Sequence, residues 1–161
     1  MNKKLVLEFF LTFSKFEYAL KATEMFKRHP PDPTRPSRPR AEPDWDRFSA
    51  SLRDNFDASA TNDLTQACNY LCDCPPNQQV IVDDAVAWET PKRADGEADV
   101  QFLLRMVRCV RNNLFHGGKH NIEVHEDIQR TEMLLKSSVT ILHACLTIAP
   151  QQQSAYLDAR L

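Results

Sequence analysis

The chain has 161 residues, of which 42% are hydrophobic and 26% are charged, and its formal net charge is −2. This length suits one domain with a hydrophobic core of its own, and this composition excludes a chain that is disordered throughout. The charge balance excludes a basic field over the whole molecule, so any contact with nucleic acid has to be local.

The apolar stretches are too short for a membrane protein. No uncharged stretch approaches the roughly 20 apolar residues that a membrane helix needs. Two lysines near the start precede an apolar run, but Glu8, Lys15 and Glu17 interrupt it and no small-residue cleavage site follows. We therefore expect a cytoplasmic protein without a membrane contact.

The first half of the chain predicts three helices and a proline-rich loop. In residues 5–27 apolar side chains recur at steps of three and four, which is typical of a long amphipathic helix. Residues 29–43 contain six prolines and cannot continue that helix. The helical spacing returns in residues 44–56 and again up to residue 72, where Thr61 or Asn62 is suited to cap the third helix.

The second half predicts two longer helices. Residues 78–88 form a β-branched patch that fits an isolated strand, a buried loop or a helix start, and the pattern does not decide among them. Residues 98–115 and 124–148 show a clear helical period, with Gly117 and Gly118 ending the first helix and Pro150 the second. Residues 151–161 suit a short turn or a frayed end.

These elements together predict an all-α fold. We expect an antiparallel bundle of four to five main helices in one domain, residues 1–150, with the loop 29–43 after the first helix. Residues 151–161 would form a C-terminal tail.

The cysteines number five, an odd set in a chain without an export signal, which favours reduced thiols. Cys68, Cys72 and Cys74 invite a zinc interpretation, but their spacing lacks the usual paired two-residue gaps. We prefer to interpret Cys68 and Cys72 as small buried hydrophobic residues at a helix end, and we expect no metal and no cofactor.

One stretch in the second half of the chain carries only positive charge. Between Val100 and Ile122 there is no acidic residue, whereas six cationic or titratable side chains occur there, namely Arg105, Arg108, Arg111, His116, Lys119 and His120. Arg108 and Arg111 are three residues apart and share a helix face, which predicts an anion-binding corner near the helix end. The alternative is that these cations only stabilise the C-terminus of their helix through its dipole.

In the string from Arg111 to His116, four residues separate the arginine from the histidine, and the first of the four, Asn112, is polar. This string resembles the signature of the HEPN superfamily. The aromatic-rich first helix around residues 13–18 also resembles the opening of HEPN proteins from bacterial mobile-element and defence systems. The resemblance covers helices at both ends of the chain. The proline-rich loop and residues 68–88 have no counterpart in it.

This resemblance implies a homodimer whose two motifs form one composite site that cleaves RNA without a metal. His116 would act as general base or acid for attack by the ribose 2′-hydroxyl, because imidazole titrates near neutral pH. Arg111 would hold the scissile phosphate, and Asn112 would hydrogen-bond that phosphate or orient His116.

Further roles follow for residues around the motif. Arg108, Lys119 and His120 would contact the RNA phosphates. Glu17 matches a position at which some relatives carry an acidic residue that supports the site. The simpler interpretation of Glu17 is a surface pair with Lys21, four residues later on the same helix.

Three functions are therefore weighed. The first is a metal-independent endoribonuclease, as a toxin or phage-defence RNase that an antitoxin would control. The second is a non-catalytic HEPN module that binds nucleotide, RNA or a protein such as a nucleotidyltransferase. The third is an unrelated helical interaction protein in which the motif is a coincidence. The intact Arg111, Asn112 and His116 favour the first.

Overall fold

The computed structural model describes residues 1–30, 38–115 and 124–160. Within these residues there are six helices: α1 (Lys3–Ala22), α2 (Trp45–Ser51), α3 (Asn62–Asp73), α4 (Asp99–Phe115), α5 (Val124–Thr147) and α6 (Pro150–Asp158). Four short strands accompany them: β1 (Phe26–His29), β2 (Arg40–Pro43), β3 (Gln78–Val82) and β4 (Ala85–Glu89).

The strands make the fold mixed rather than all-α, so the predicted fold class is wrong. β1 pairs with β2 in one antiparallel sheet, and β3 pairs with β4 in another. Each strand has only four or five residues, which is too short for a period of two to stand out in the sequence. The helices still make up most of the described chain.

α1 ends at Ala22, five residues before its predicted end, and the first hairpin begins at Phe26. The Thr23 hydroxyl donates to the carbonyl of Ala19 at 2.8 Å, Glu24 adopts a positive φ of 61°, and the amide of Met25 donates to the carbonyl of Leu20 at 2.8 Å. This left-handed turn satisfies the last carbonyls of the helix and redirects the chain into β1. The predicted loop 29–43 thus has paired strands at its ends, while its residues 31–37 lie outside the described part.

α3 matches its predicted bounds closely. The Thr61 hydroxyl accepts from the amide of Leu64 at 3.1 Å, as expected of an N-cap residue. Cys68 is buried, but Cys72 and Cys74 are exposed, so the interpretation of Cys72 as a buried residue is wrong. Among the described residues, no group of three or more His, Cys, Asp or Glu side chains is arranged to hold a metal ion.

The C-terminal segment is a helix rather than a short turn or a frayed end. Pro150 is the first residue of α6, where its fixed φ is compatible with a helix start. α6 packs against α1, and the buried amide of Gln152 donates to the hydroxyl of Thr23 at 2.9 Å.

The core lies between α5 and the helices α1, α3 and α4. Its largest fully buried side chains include Phe9, Phe16, Phe48, Leu71, Leu103, Met106, Leu135 and Leu142. Trp45 of α2 stacks on Phe16 with a centroid distance of 5.2 Å and an interplanar angle of 4°. Phe13 also stacks on Trp45, with the same centroid distance. This aromatic stack holds α2 beside α1, next to the site described below.

In the described residues, no single helix is long and apolar enough to cross a membrane. The pair Ile128–Thr147 and Pro150–Asp158 reaches that length and composition together, but it is bent by 116°.

Candidate functional site

α4 carries the motif residues Arg111 to Phe115, and the helix has one buried side and one side that faces the surface. The helix begins at Asp99, an acidic residue in the first turn, which is favourable there. Leu103, Met106, Val107 and Val110 are buried in the core. Arg108, Arg111 and Asn112 are left on the side that faces clefts in the surface.

The first of these clefts has a volume of about 200 Å³, and we call it the arginine cleft. Its lining comes from α1, β2, α2 and α4, and consists of Phe13, Glu17, Glu42, Pro43, Trp45, Arg108, Arg111 and Asn112. The fold therefore brings together four of the residues selected from the sequence, Glu17, Arg108, Arg111 and Asn112. The other three, His116, Lys119 and His120, lie outside the described residues, as do Gly117 and Gly118.

Arg111 is held by aromatic rings. Its guanidinium carbon lies 5.7 Å from the ring centroid of Phe13 and 5.3 Å from that of Phe115. Its Nη1 donates to Oδ1 of Asn112 at 3.1 Å. Within the described residues it makes no ion pair with a carboxylate. These cation–π contacts hold the guanidinium beside the two rings, and most of its N–H donors have no partner among the described residues.

Arg108 is held more loosely. Its Nη1 lies 3.6 Å from Oδ1 of Asp46, and its side chain is 39% exposed. Asp46 also accepts a hydrogen bond from Nζ of Lys27 at 2.7 Å. That bond holds the pKa of Asp46 below its usual range, and the charge of Arg108 acts in the same direction. Because Asp46 already has Lys27, Arg108 is able to turn to a phosphate at small cost.

Arg105 has a structural role instead. Its Nε and Nη2 donate to the two carboxylate oxygens of Glu97 at 2.9 and 2.8 Å, and Nη2 also donates to the carbonyl of Lys92 at 2.9 Å. This bidentate pair lowers the pKa of Glu97 and raises that of Arg105. Arg105 thus anchors the segment before α4, and its charge is already neutralised.

Glu17 lies at the arginine cleft and makes no ion pair with Lys21 among the described contacts. Glu42 lines the same cleft, so two carboxylates and two arginines line it together. The cleft is therefore not uniformly positive. An anion has to approach on the side of Arg108 and Arg111, and Glu17 is available to a neighbouring donor.

A second cleft was not anticipated from the sequence. It has a volume of about 420 Å³, lies between α4 and the hairpin of β3 and β4, and we call it the hairpin cleft. Its lining consists of Gln78, Gln79, Trp88, Arg105, Arg108, Cys109, Asn112 and Asn113. The signal that would have revealed the hairpin is the pair Asp83–Asp84, which stands between two short apolar runs and adopts the positive φ values of a tight turn, 49° and 61°.

The base of this hairpin is attached to α4. The amide Nδ2 of Asn113 donates to the carbonyl of Asn77 at 2.6 Å, and Sγ of Cys109 lies 3.4 Å from the same oxygen. Arg108 and Asn112 line both the hairpin cleft and the arginine cleft. The two clefts are therefore neighbours that share one side of α4.

An apolar surface borders the arginine cleft. Leu7, Phe10 and Leu11 of α1 and Phe115 of α4 are between 37% and 56% exposed. The rings of Phe10 and Phe115 are 5.7 Å apart, and Phe115 is also the ring over which Arg111 lies. We call these four residues the α1 patch. It is continuous with the site through Phe115.

In comparisons with protein-family models, curated proteins and solved structures, nothing matched this chain. What the site does has to be inferred from its own residues and geometry.

Proposed function

We propose that this protein is a metal-independent endoribonuclease of the HEPN type, a cytoplasmic toxin or defence RNase. The observation that supports it most is the state of Arg111. It makes cation–π contacts with Phe13 and Phe115, is hydrogen-bonded to Asn112, and is free of any carboxylate partner among the described residues. An arginine that only stabilised the surface would gain from such a partner, whereas a phosphate-binding arginine has to keep its donors open.

The chemistry requires a phosphate clamp and a proton-transfer group. Arg111 would bind the scissile phosphate and stabilise the charge that develops on its oxygens, and Arg108 would bind the same or the next phosphate. The ribose 2′-oxygen would attack phosphorus while the bond to the 5′-oxygen breaks, which leaves a 2′,3′-cyclic phosphate and a 5′-hydroxyl end. His116, which follows Phe115 in the sequence, would take the 2′-hydroxyl proton or donate one to the leaving 5′-oxygen.

The proposed enzyme works as a homodimer. One imidazole cannot serve as base and acid at once, and a second copy supplies the other proton-transfer group. The α1 patch supports this arrangement, because exposed apolar side chains beside a functional site favour burial in an interface. A second copy on this patch would bring its own Arg111 close to the first. Glu17, already in the arginine cleft, would help to orient the site.

The test is an RNA-cleavage assay with purified wild-type protein, Arg111→Ala and His116→Ala, in the presence of a chelator, with total RNA and transfer RNA as substrates. Arg53→Ala is the matched control, because Arg53 is exposed and lines neither cleft. We expect wild type and Arg53→Ala to cut RNA and to leave 2′,3′-cyclic phosphate ends. Each site variant should be slower by about 100-fold or more, since loss of one electrostatic stabiliser typically costs that much.

The other outcomes are informative. Equal cleavage by all four proteins would mean a contaminating nuclease and would reject the proposal. Intact RNA in every reaction, together with RNA binding that Arg111→Ala weakens, would favour the non-catalytic binding module. A stable monomer at assay concentration, measured by sedimentation, would contradict the composite site.

A further inference from the structure

Trp88 has a large apolar ring that the described part of the chain leaves partly exposed. The chain contains two tryptophans. Trp45 is 5% exposed and stacks in the core, whereas Trp88 is 45% exposed. Among the described residues no aromatic ring or cation lies on the Trp88 indole. It nevertheless lines a cleft rather than standing alone on the surface.

Amide side chains surround this ring. Gln79 is the direct cross-strand partner of Trp88, so both project from the same face of the hairpin. Gln78 and Asn112 also line the cleft. No hydrogen bond joins the side-chain amides of Gln78 and Gln79 to other described residues, and Asn112 uses only its oxygen, toward Arg111. Each free amide offers both a donor and an acceptor, as the edge of a nucleobase does.

Arginine side chains supply the positive charge of the hairpin cleft. Arg108 lines it, and Arg105 does too, but the charge of Arg105 is paired with Glu97. Among the described residues that line the hairpin cleft, the available cation is thus Arg108, which also lines the arginine cleft. A nucleotide with its phosphate at Arg108 would have its base directed toward Trp88. The volume of about 420 Å³ lies in the usual range for small-ligand pockets.

We propose that the hairpin cleft is a nucleobase-binding subsite, in which Trp88 stacks on one base of a single-stranded RNA while Arg108 holds the adjoining phosphate. This inference rests on the function proposed above and extends it to the substrate. The base has to be unpaired, because a paired base is already stacked within its helix. Since every base has a π face, Trp88 supplies affinity with little sequence preference, and the glutamine amides add what preference there is.

The experiment compares ligands with and without a base. Adenosine 5′-monophosphate, uridine 5′-monophosphate and ribose 5-phosphate are titrated into wild type, Trp88→Leu and Trp88→Phe by calorimetry, and tryptophan fluorescence is recorded in parallel. Val86→Ala is the matched control, because Val86 is 69% exposed on the same hairpin but does not line the cleft.

We expect the nucleotides to bind wild type more tightly than ribose 5-phosphate and to quench the fluorescence of the exposed Trp88. Trp88→Leu should weaken nucleotide binding by about 5- to 150-fold, the range that corresponds to loss of one base stack. Its affinity for ribose 5-phosphate should not change. Trp88→Phe should recover part of the loss, and Val86→Ala should behave as wild type.

The inference is overturned if wild type binds the nucleotides no more tightly than ribose 5-phosphate, if no saturable nucleotide binding occurs at millimolar concentration, or if Trp88→Leu binds them as wild type does. Failure of the two proposals can be told apart. Cleavage that depends on Arg111, with nucleotide binding unchanged in Trp88→Leu, would keep the nuclease and reject the subsite. Nucleotide binding that depends on Trp88, without any cleavage, would do the reverse.

Discussion

The guanidinium of Arg111 on α4 lies over the ring of Phe13 on α1, 5.7 Å from its centroid. Phe13 in turn stacks on Trp45 of α2 with a centroid distance of 5.2 Å. The arginine therefore rests on a platform that belongs to the buried core. Packing of three helices therefore places the cation that would bind the scissile phosphate.

This platform predicts that Arg111→Lys will not replace the arginine. A lysine keeps the charge but lacks the planar fork that stacks on Phe13 and binds a phosphate through two N–H groups. We expect the single-turnover rate of RNA cleavage to fall by about 30-fold or more, close to the loss in Arg111→Ala. Arg53→Lys, on the exposed surface, should keep the wild-type rate. If Arg111→Lys retains more than half of that rate, Arg111 acts only as a point charge.

The burial of Phe16 in an aromatic cluster predicts that this part of the core contributes strongly to the stability of the fold. It is fully buried between Trp45, parallel to it at 5.2 Å, and Phe48, edge-on at 5.4 Å. Phe16→Ala should lower the free energy of unfolding by about 3 to 5 kcal/mol, because it removes buried apolar area and leaves a cavity. Urea denaturation followed by circular dichroism measures this. Tyr18→Ala, at an exposed position of the same helix, should cost less than about 1 kcal/mol, and equal losses would place the core elsewhere.

The ion pair of Arg105 and Glu97 predicts that the stability of the fold depends on pH. Hydrogen bonds from Arg105 hold the pKa of Glu97 below its usual value when the protein is folded, and unfolding returns it to about 4.3. Since the folded pKa is the lower one, the pair stabilises the fold above about pH 4.3, and this contribution disappears as the pH falls through the folded pKa. Glu97→Gln should therefore be less stable than wild type by about 1 kcal/mol near pH 7, a modest value because the pair is partly exposed.

The same measurement at a lower pH, below the folded pKa of Glu97, should show a much smaller difference between Glu97→Gln and wild type, because the carboxyl is then protonated in both the folded and the unfolded state. Glu89→Gln is the control, because Glu89 is exposed and makes no ion pair with another described residue. A deficit of the same size at both pH values would show that the variant loses packing rather than charge.

The cysteines predict two classes of thiol. Cys72 and Cys74 are exposed, whereas Cys68, Cys109 and Cys145 are buried, and burial raises the pKa of Cys68 to about 12. Desolvation also raises the pKa of Cys72, so accessibility is what separates the two classes. A disulfide reagent should modify the two exposed thiols first in the native protein and all five after denaturation. The double variant Cys72→Ser and Cys74→Ser should lose the rapid phase. Rapid modification that persists in this variant would contradict the burial of at least one of Cys68, Cys109 and Cys145.

Local spacing was enough to predict several helices. The predicted helices at residues 98–115 and 124–148 correspond to Asp99–Phe115 and Val124–Thr147, and Thr61 caps α3 as expected. In each case the apolar side chains that face the core recur within the helix itself, so the information is contained in neighbouring residues. The grouping of Arg108, Arg111 and Asn112 follows for the same reason, because the three lie within two turns of one helix.

The tertiary structure decided what depends on partners that are distant in the sequence. β1 is a strand because β2, on the far side of the proline-rich stretch, provides its hydrogen bonds, and α6 is a docked helix because α1 provides its surface. The surroundings of the motif belong to this group as well. Phe13, whose ring lies near the Arg111 guanidinium, and Trp88, which lines a cleft together with Arg108, come from other elements. A helical period in α4 holds no information about which rings surround it.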